Sequence, residues 1–263
     1  MTTMQKRHSF IVCAYKESPY LRDCILSLKN QTVPSMIKIA TSTPNEYIEK
    51  TAAEFGLDVL INKKCGGIAE DWNFALSQCE TPYCTLAHQD DVYEPEFTEK
   101  SLQVMTDSTL IVFSDYFELR GTEKNDQTFN LKIKKILLRG LRDRRNAGKR
   151  ACKRRALSFG NAICCPAVTY NMERIPNELF VSGMRSNIDW QAWELLSRTD
   201  GEFQYIPVPL MAHRIHEQSE TSKTIEENKR AAEDLEVFRL FWPAPVASLI
   251  SSFYTLSEKS NKQ

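Results

Sequence analysis

Short apolar runs and longer amphipathic segments alternate along residues 8–120. Each apolar run has the length of a buried strand, and the segments between them repeat apolar side chains every three or four positions, as helices do. Strands are predicted at residues 9–14, 36–41, 58–62, 83–87 and 109–116, and helices after Ser18-Pro19, from Thr43-Pro44 to Gly56, at residues 68–79 and at residues 94–105. Ser18 and Thr43 are the expected N-caps. This alternation predicts an α/β fold with a mostly parallel central sheet and helices on both faces.

Polar residues stand where the predicted strands end. Carboxyl ends of parallel strands meet at one edge of a sheet, and in open α/β sheets that edge binds ligands. The strand ends are Tyr15, Thr41, Asn62, His88 and Asp115. The sequence therefore predicts a nucleotide-type crevice along this edge.

The most distinctive strand end is the stretch at residues 86–95, which reads LAHQDDVYEP. Asp90 and Asp91 are adjacent carboxylates, which repel each other unless a cation or a hydrogen-bond network keeps both ionised. A hard divalent metal that carries phosphates would supply that charge, and a solvated acidic turn is the alternative interpretation. The chain contains neither Gly-x-Gly-x-x-Gly nor Gly-Lys-Ser/Thr. A nucleotide would therefore be held by scattered loop contacts and by metal on its phosphates.

Length, composition and cysteine usage narrow the class of protein. The 263 residues are enough for one large domain, and an apolar content of 42% supports a substantial core. The chain contains no apolar stretch long enough to span a membrane, and residues 1–9 lack the apolar segment of a signal peptide. Eight cysteines without a Cys-x-x-Cys pair predict free thiols and argue against a zinc site. We therefore expect a cytoplasmic protein.

Three stretches resemble family 2 glycosyltransferases of the GT-A fold. Residues 10–17 (FIVCAYKE) look like the opening of that family, residues 62–73 (NKKCGGIAEDWN) resemble its glycine-rich segment, and Gln89-Asp90-Asp91 stands at the position of its metal-binding motif. The resemblance is close over residues 8–120 and looser over residues 160–220. It implies the GT-A (nucleotide-diphospho-sugar transferase) fold and sugar transfer from a nucleotide-activated donor, assisted by Mg²⁺ or Mn²⁺.

The resemblance also implies roles for individual residues. Asp91 would ligate the metal, and Asp90 would face the ribose or the metal-bound waters. The residues implied to bind the donor are Ala14, Tyr15, Glu17, Ser42, Asp71, Asn73, Gln89, Asp90 and Arg214. Structural alternatives exist for Tyr15, as an aromatic side chain covering the core, and for Asn73, as a helix residue bonded to a neighbouring loop.

The chain departs from the family at two places. Family members usually carry acids after the second strand that bind the base, whereas residues 40–44 (ATSTP) contain none. Hydroxyl groups are left to take their place, and the base stays undetermined. His88 stands where many relatives have another aspartate, and we interpret it as a residue that shapes the site rather than a ligand.

The second half of the chain carries residues expected to act on the acceptor. Residues 186–194 (SNIDWQAWE) resemble the family's Glu-Asp-Trp segment, which implies that Asp189 is the general base of an inverting displacement. The alternative is that Asp189 caps the helix that starts there, and Glu194 is the next candidate base. By resemblance, Arg214 would hold phosphate and His216 would complete the metal shell, with a structural histidine as the alternative.

A basic segment lies between these two halves. Residues 132–155 hold twelve lysines and arginines and one acid, Asp143, although the net charge of the chain is zero. An apolar stripe runs through the segment, formed by Ile133, Ile136, Leu137 and Leu141. We therefore predict one or two basic helices. These present either a solvated face or a surface for anionic membrane lipid, a lipid-diphosphate acceptor or the donor phosphates. Nucleic acid lacks support, because no aromatic residues are interleaved.

These observations predict one continuous GT-A domain. Residues 1–120 would form the nucleotide-sugar-binding half, and residues 121–263 the acceptor-binding half, with a basic helical insert at about residues 131–157 and C-terminal helices. We also expect a strand at residues 161–170 and, because of its prolines, an edge strand at residues 204–211.

The predicted function is metal-dependent, inverting transfer of a sugar to a saccharide or lipid-linked acceptor. Such transfer would serve the synthesis of cell-surface polysaccharide or glycolipid, with the enzyme either free in the cytoplasm or peripheral on the inner face of the membrane. The alternatives are a nucleotidyltransferase, which also presents paired aspartates to metal and phosphate, and a non-catalytic module that binds sugar nucleotides or docks on membranes.

Overall fold

A computed structural model of the protein describes residues 7–64, 66–216 and 227–260, without the side chains of residues 227–229 and 255–260. Within these residues, nine strands form one sheet. The strands are β1 (His8–Ala14), β2 (Met36–Thr41), β3 (Val59–Ile61), β4 (Tyr83–His88), β5 (Val92–Tyr93), β6 (Thr109–Arg120), β7 (Glu123–Asn125), β8 (Val168–Asn171) and β9 (Glu202–Arg214). The helices are α1 (Leu21–Lys29), α2 (Glu46–Phe55), α3 (Ile68–Ser77), α4 (Phe97–Val104), α5 (Phe129–Leu137), α6 (Arg150–Leu157), α7 (Ile188–Arg198), α8 (Glu227–Phe241) and α9 (Ala244–Ser260).

The two halves of the sheet differ in strand direction. β3, β2, β1 and β4 are parallel neighbours in that order. β8 enters antiparallel between β4 and β6, and β9 lies parallel to β6. The short strands β5 and β7 pair antiparallel with β9 and β6. The α/β fold with a mostly parallel sheet, predicted from the alternation of apolar and polar segments, is confirmed.

β1 separates two cores. Side chains alternate along a strand, so Ile11 packs on one face of the sheet while Phe10 and Val12 pack on the other. The first face carries α3, α6, α7 and the two C-terminal helices, and the second carries α1, α2 and α4. All three β1 side chains are fully buried, and each burial is worth roughly 1.5–3 kcal/mol.

The predicted N-cap of α1 is wrong. The helix begins at Leu21, and Tyr20 occupies the cap position without a side-chain cap bond. The Ser18 hydroxyl instead donates to Asp90 Oδ1 at 2.5 Å. Ser18 Oγ also accepts from the Tyr20 N–H at 3.3 Å, so the serine links the sheet edge to the residue that precedes the helix.

The predicted N-cap of α2 is also wrong, whereas its predicted end is confirmed. Asn45 caps the helix by accepting from the Ile48 N–H at 3.0 Å. The Thr43 hydroxyl instead accepts from the Lys16 N–H at 2.6 Å. Gly56 ends the helix in the left-handed conformation, with φ of 63°, which favours glycine.

The strands of the second half differ from their predicted bounds. β8 starts only at Val168, because the three residues before it, including Pro166, form a 3-10 turn. β9 is longer than expected, but its outer side pairs only with the two-residue β5. Pro207 lies where the register of β9 against β6 shifts, at a bulge that removes the need for its missing N–H.

The basic segment, predicted to form one or two helices, forms two, α5 and α6, but its charges do not share one surface. Lys153 is buried, and its ammonium donates to the carbonyl oxygens of Thr199 and Gly201 at 2.7 and 2.8 Å. Arg154 forms an ion pair with the buried Glu194 of α7. Both side chains therefore anchor α6 to the rest of the fold.

Cysteines and helix lengths add two observations. Each cysteine within the described part of the chain has a free thiol. None of the described helices combines the length and the hydropathy needed to cross a bilayer.

His8 lies in a buried polar cluster in the sheet. Its Nδ1 is 2.9 Å from Ser35 Oγ, and its Nε2 is 3.0 Å from Thr85 Oγ1. Thr85 continues the cluster to the Thr169 hydroxyl at 2.8 Å. Burial lowers the pKa of His8 from 6.5 to about 3.

This cluster is expected to make the fold acid-sensitive. Between pH 6.5 and about 3, His8 is protonated in the unfolded chain but stays neutral in the folded chain. The free energy of unfolding therefore falls as the pH drops through this range. The expected contribution is roughly 1.4 kcal/mol per pH unit. Urea unfolding across this range should give a shallower pH dependence for His8→Asn, which cannot titrate. Equal pH dependences for variant and wild type would contradict the assignment.

Candidate active site

Gln89 ties the ends of β1 and β4 together at the sheet edge. Its Oε1 accepts from the Tyr15 N–H at 3.1 Å, and its Nε2 donates to the Tyr15 carbonyl at 3.0 Å. The Tyr15 ring is 48% exposed, Glu17 beside it is exposed, and Ala14 is buried. The ring therefore presents an aromatic face at the crevice instead of covering the core.

Asp71 joins the ends of β2 and β3 from the first turn of α3. The Ser42 hydroxyl donates to Asp71 Oδ2 at 2.8 Å, and the Asn62 amide donates to Oδ1 at 2.8 Å. A carboxylate thus stands beside the second strand even though residues 40–44 contain no acid. The acid comes from a helix and not from the strand end.

Asn73 contacts a loop from the second half of the chain. Its Nδ2 donates to the Phe180 carbonyl at 2.7 Å, and its Oδ1 accepts from the Phe180 N–H at 2.9 Å. This arrangement is the structural alternative considered for Asn73, and its donor-binding role stays a prediction. Nearby, Trp72 stacks on His88 with ring centroids 5.2 Å apart, and burial lowers the pKa of His88.

Asp91 is buried, with 1% of its surface exposed. Its Oδ1 lies 3.0 Å from His213 Nδ1 and accepts from the Arg214 N–H at 3.0 Å. Its Oδ2 is enclosed and has no hydrogen-bond partner among the described residues. Burial by itself raises the pKa of Asp91, but the charge and hydrogen bond of His213 outweigh it and hold the pKa below its usual value. The pair fastens the loop after β4 to the end of β9.

Asp90 has more open surroundings than its neighbour. Its side chain is 25% exposed, and its Oδ2 lies 3.2 Å from Nε2 of His216. The His216 ring packs against Tyr20, with ring centroids 5.2 Å apart. Asp90 and His216 therefore face each other at the crevice, and Ser18 holds the other carboxylate oxygen.

The Arg214 guanidinium contacts other residues of the protein. Its Nε donates to the Asp90 carbonyl at 2.8 Å, and it stacks over the Tyr20 ring at 4.2 Å. A longer contact of 3.7 Å reaches Asp23. Arg214 thus positions the backbone of Asp90, and its predicted contact with phosphate stays a prediction.

Asp189 lies in the first turn of α7. Asn187 occupies the N-cap position, so Asp189 is not the N-cap, although its Oδ1 accepts from the Trp190 N–H at 2.8 Å. Its Oδ2 accepts from the Asn161 amide at 2.8 Å. Burial raises the pKa of Asp189, against the effects of these hydrogen bonds and of the Lys134 charge.

Glu194, the second candidate base, is held by two arginines. It is buried and forms ion pairs with Arg154 and with Arg198. Both guanidinium groups contact Oε1 of this carboxylate, and the Glu194 side chain is buried, so its position in the fold is that of a structural ion pair. This geometry favours Asp189.

Three residues near Asp91 were missed from the sequence. The His213 and Tyr116 rings lie 6.3 Å apart, and the Lys134 ammonium donates to the Tyr116 hydroxyl at 3.0 Å. His213 belongs to β9 and contacts Asp91, whereas His216 follows β9 and contacts Asp90. The direction in which the His213 side chain leaves its strand is the signal that could have assigned it to Asp91. No sequence signal separates Lys134 from the other bases of its segment.

The pair formed by Asp90 and His216 fits a divalent metal. Carboxylate oxygen and imidazole nitrogen are both accepted by Mn²⁺, and Mg²⁺ accepts the carboxylate. Within the described ranges, no cluster of three or more histidine, cysteine or acidic side chains could hold an ion by itself. A site with two protein ligands suits an ion whose remaining positions are filled by substrate phosphates.

Comparison with solved structures identifies the fold. S. aureus TarS (residues 1–349), in complex with UDP-GlcNAc, is 13% identical, with a TM-score of 0.64 over 93% of this chain and 70% of that chain. The mannosyltransferase PcManGT from Pyrobaculum calidifontis, in complex with GDP-Man and Mn²⁺, is 12% identical, with a TM-score of 0.60 over 99% and 77%. Glucosyl-3-phosphoglycerate synthase from Mycobacterium tuberculosis, with Mn²⁺ and UDP-Glc, is 12% identical, with a TM-score of 0.59 over 90% and 80%. These likenesses confirm the predicted GT-A fold.

Sequence comparison identifies the family. A search of curated proteins finds no match to the chain. The model of the family described as Glycosyl transferase family 2 matches residues 9–166 of the 263. Because this match covers more than half of the chain, the protein belongs to glycosyl transferase family 2, and the predicted enzyme class, a glycosyltransferase, is confirmed.

Proposed function

We propose that the enzyme moves a sugar from a nucleotide-diphosphate sugar to an acceptor hydroxyl, with a divalent metal and with inversion at the anomeric carbon. The observation that carries the proposal is the pair at the sheet edge, where the partly exposed Asp90 presents its Oδ2 3.2 Å from Nε2 of His216. A carboxylate and an imidazole in this position can hold a divalent ion that meets a diphosphate. The solved relatives support the donor class, because their complexes contain UDP-GlcNAc, GDP-Man or UDP-Glc.

In this proposal Asp90 and His216 hold the metal, and Asp91 supports the fold. The argument is exposure: an ion at Asp90 can meet a diphosphate, whereas Asp91 is 1% exposed and its free oxygen is enclosed. The family resemblance implied a different assignment, in which Asp91 ligates the metal and Asp90 faces the ribose or the metal-bound waters. When bound, the metal would stabilise negative charge on the leaving phosphate.

Asp189 acts as the general base. The acceptor hydroxyl gives its proton to the Asp189 carboxylate as its oxygen bonds to the anomeric carbon. The bond from that carbon to the phosphate oxygen breaks at the same time, and its electron pair leaves with the diphosphate. A carboxylate whose pKa is raised by burial is a stronger proton acceptor than an ordinary one, which supports this role.

The enzyme is expected to release nucleoside diphosphate from at least one nucleotide sugar when Mn²⁺ is present. A panel of UDP- and GDP-sugars, with and without saccharide and lipid-linked acceptors, would identify the donor, and NMR of the product would give the anomeric configuration. Release of pyrophosphate from a nucleoside triphosphate and a sugar phosphate would favour the nucleotidyltransferase alternative. Turnover of no donor by the folded enzyme would overturn the proposal.

A second part of the proposal is that α5 docks on an anionic lipid surface. Phe129, Ile133 and Ile136 are 61%, 37% and 69% exposed, and their spacing places them on one side of the helix. Lys132 and Arg139 are exposed beside them. An apolar stripe flanked by bases suits the boundary between acyl chains and acidic headgroups.

The enzyme is expected to sediment with phosphatidylglycerol vesicles more than with phosphatidylcholine vesicles, and less at high salt. Lys132→Gln/Arg139→Gln should weaken this binding. Lys29→Gln/Lys50→Gln, which removes the same charge from exposed positions of α1 and α2, serves as the matched control. Absence of wild-type binding, or equal loss in both double variants, would rule out docking through α5.

A further inference from the structure

Lys134 is the one described base of α5 that reaches the candidate active site. It donates to the Tyr116 hydroxyl at 3.0 Å and lies over the Tyr116 ring, with its ammonium 5.3 Å from the ring centroid. The Tyr116 ring lies 6.3 Å from the ring of His213, which contacts Asp91 at 3.0 Å. Its neighbour Lys135 points elsewhere and pairs with Asp126 at 2.9 Å.

The Lys134 ammonium has no carboxylate partner within ion-pair distance among the described residues, and its one hydrogen-bond acceptor is neutral. An ammonium has three N–H donors, so two remain for another acceptor. The Lys134 side chain is only partly buried, so these two donors can be reached by a ligand. A cation with unused donors at this position suits the binding of an anion.

We propose that Lys134 binds a phosphate of the donor's diphosphate, the group that leaves during transfer. This inference rests on the proposed function, since it presumes a nucleotide-diphosphate donor. Negative charge develops on this phosphate as its bond to the sugar breaks. A fixed cation stabilises developing charge most strongly where water is partly excluded, as it is around the half-buried Lys134. The basic segment thereby contributes one residue to the donor site, whereas Lys153 and Arg154 anchor α6 and Lys135 pairs with Asp126.

The test compares the affinities of UDP, GDP and the corresponding monophosphates by calorimetry, with Mn²⁺ and with EDTA. Lys134→Met, which keeps the apolar stem but removes the charge, is expected to weaken nucleoside diphosphate binding about tenfold to a hundredfold. The monophosphate should lose less. Lys134→Arg should retain most of the affinity, and Lys135→Met on the same helix should match the wild type.

Two outcomes would overturn the inference. In the first, Lys134→Met binds diphosphate as the wild type does but shifts the acid limb of the rate profile, so that Lys134 acts through Asp189. In the second, Lys135→Met loses as much affinity as Lys134→Met, so that the effect is nonspecific. Failure of the wild type to bind any nucleoside diphosphate would instead overturn the proposed function. Melting temperatures of all variants identify any that fail to fold. If Lys134→Met does not fold, the affinity of Lys134→Arg for nucleoside diphosphate tests the inference, and an affinity unrelated to the retained charge would contradict it.

Discussion

Replacing Asp189 by asparagine is expected to abolish most sugar transfer while nucleotide binding and folding stay intact. Loss of a general base costs roughly 10²–10⁴-fold in rate. Asp90 and His216, proposed to meet the diphosphate through the metal, follow β4 and β9, whereas Asp189 belongs to α7. Affinity for nucleoside diphosphate should therefore not change.

Stability is expected to hold for a reason that can be read from the carboxylate's surroundings. Burial raises the pKa of Asp189, so the fold disfavours the ionised form. Such a group stabilises the fold only below its unfolded pKa, and the contribution is lost as pH rises through the folded pKa. The Asp189→Asn change removes the unfavourable free energy of burying an ionised carboxylate at neutral pH. Asn161 can also turn, because its Oδ1 has no hydrogen-bond partner within the described residues.

Calorimetry with nucleoside diphosphate, combined with transfer rates and melting curves, would check this result. In the wild type the rate should fall on the acid side as Asp189 is protonated, above the ordinary carboxyl pKa of 3.8. A variant that melts at lower temperature but keeps its rate would assign Asp189 a structural role. Glu194 would remain a poor substitute because of its two arginine partners.

Replacement by asparagine is expected to have different effects at the two adjacent aspartates, on nucleotide affinity at Asp90 and on stability at Asp91. Asp90→Asn should fold normally and lose the gain in nucleotide affinity that Mn²⁺ provides, because it removes the exposed charge facing His216. Asp91→Asn should lower the free energy of unfolding by roughly 1–3 kcal/mol, since His213 loses the charge of its hydrogen-bond partner.

Urea unfolding and calorimetry with Mn²⁺ or EDTA would separate the two effects. Each variant serves as the control for the other, since the substitution and the sequence neighbourhood are the same. If Asp91→Asn is as stable as the wild type and loses the Mn²⁺ effect, the metal belongs to Asp91, as the family resemblance implied. If Asp90→Asn retains the Mn²⁺ effect, its proposed role is wrong.

The fold was predictable because its signals are local and repeated. Apolar runs of strand length separated by helical periodicity require only short windows of sequence, and they gave β1, β2 and β4 within about two residues. Helix caps were less predictable, because Ser18 and Thr43 had competing partners across the sheet edge. A hydroxyl bonds whichever group the tertiary structure brings near, and sequence windows do not contain that information.

The strand-end residues of the candidate site could be predicted from the sequence, but their burial and contacts could not. The resemblance gives the order of motifs, so the strand-end residues were named, but it does not give burial. Asp90 and Asp91 differ mainly in exposure, which depends on how β9 packs against the loop after β4. Lys134 and Lys153 have similar sequence surroundings, yet one reaches Tyr116 and the other is enclosed by backbone carbonyls. Only the folded chain separates them.

The position of β8 between β4 and β6 has a consequence for synthesis on the ribosome. The parallel strands β1 to β4 are synthesised first, but the partner of β4 at that edge comes much later, because Tyr83 of β4 pairs with Asn171 of β8, 88 residues further along the chain. A nascent chain that has released only β1 to β6 therefore carries an unpaired β4 edge, a site for pairing with other chains. Translation must continue through β8 before that edge is covered, and through β9 before the Asp91–His213 contact can form, so the sheet edge that carries the candidate active site is completed late in synthesis.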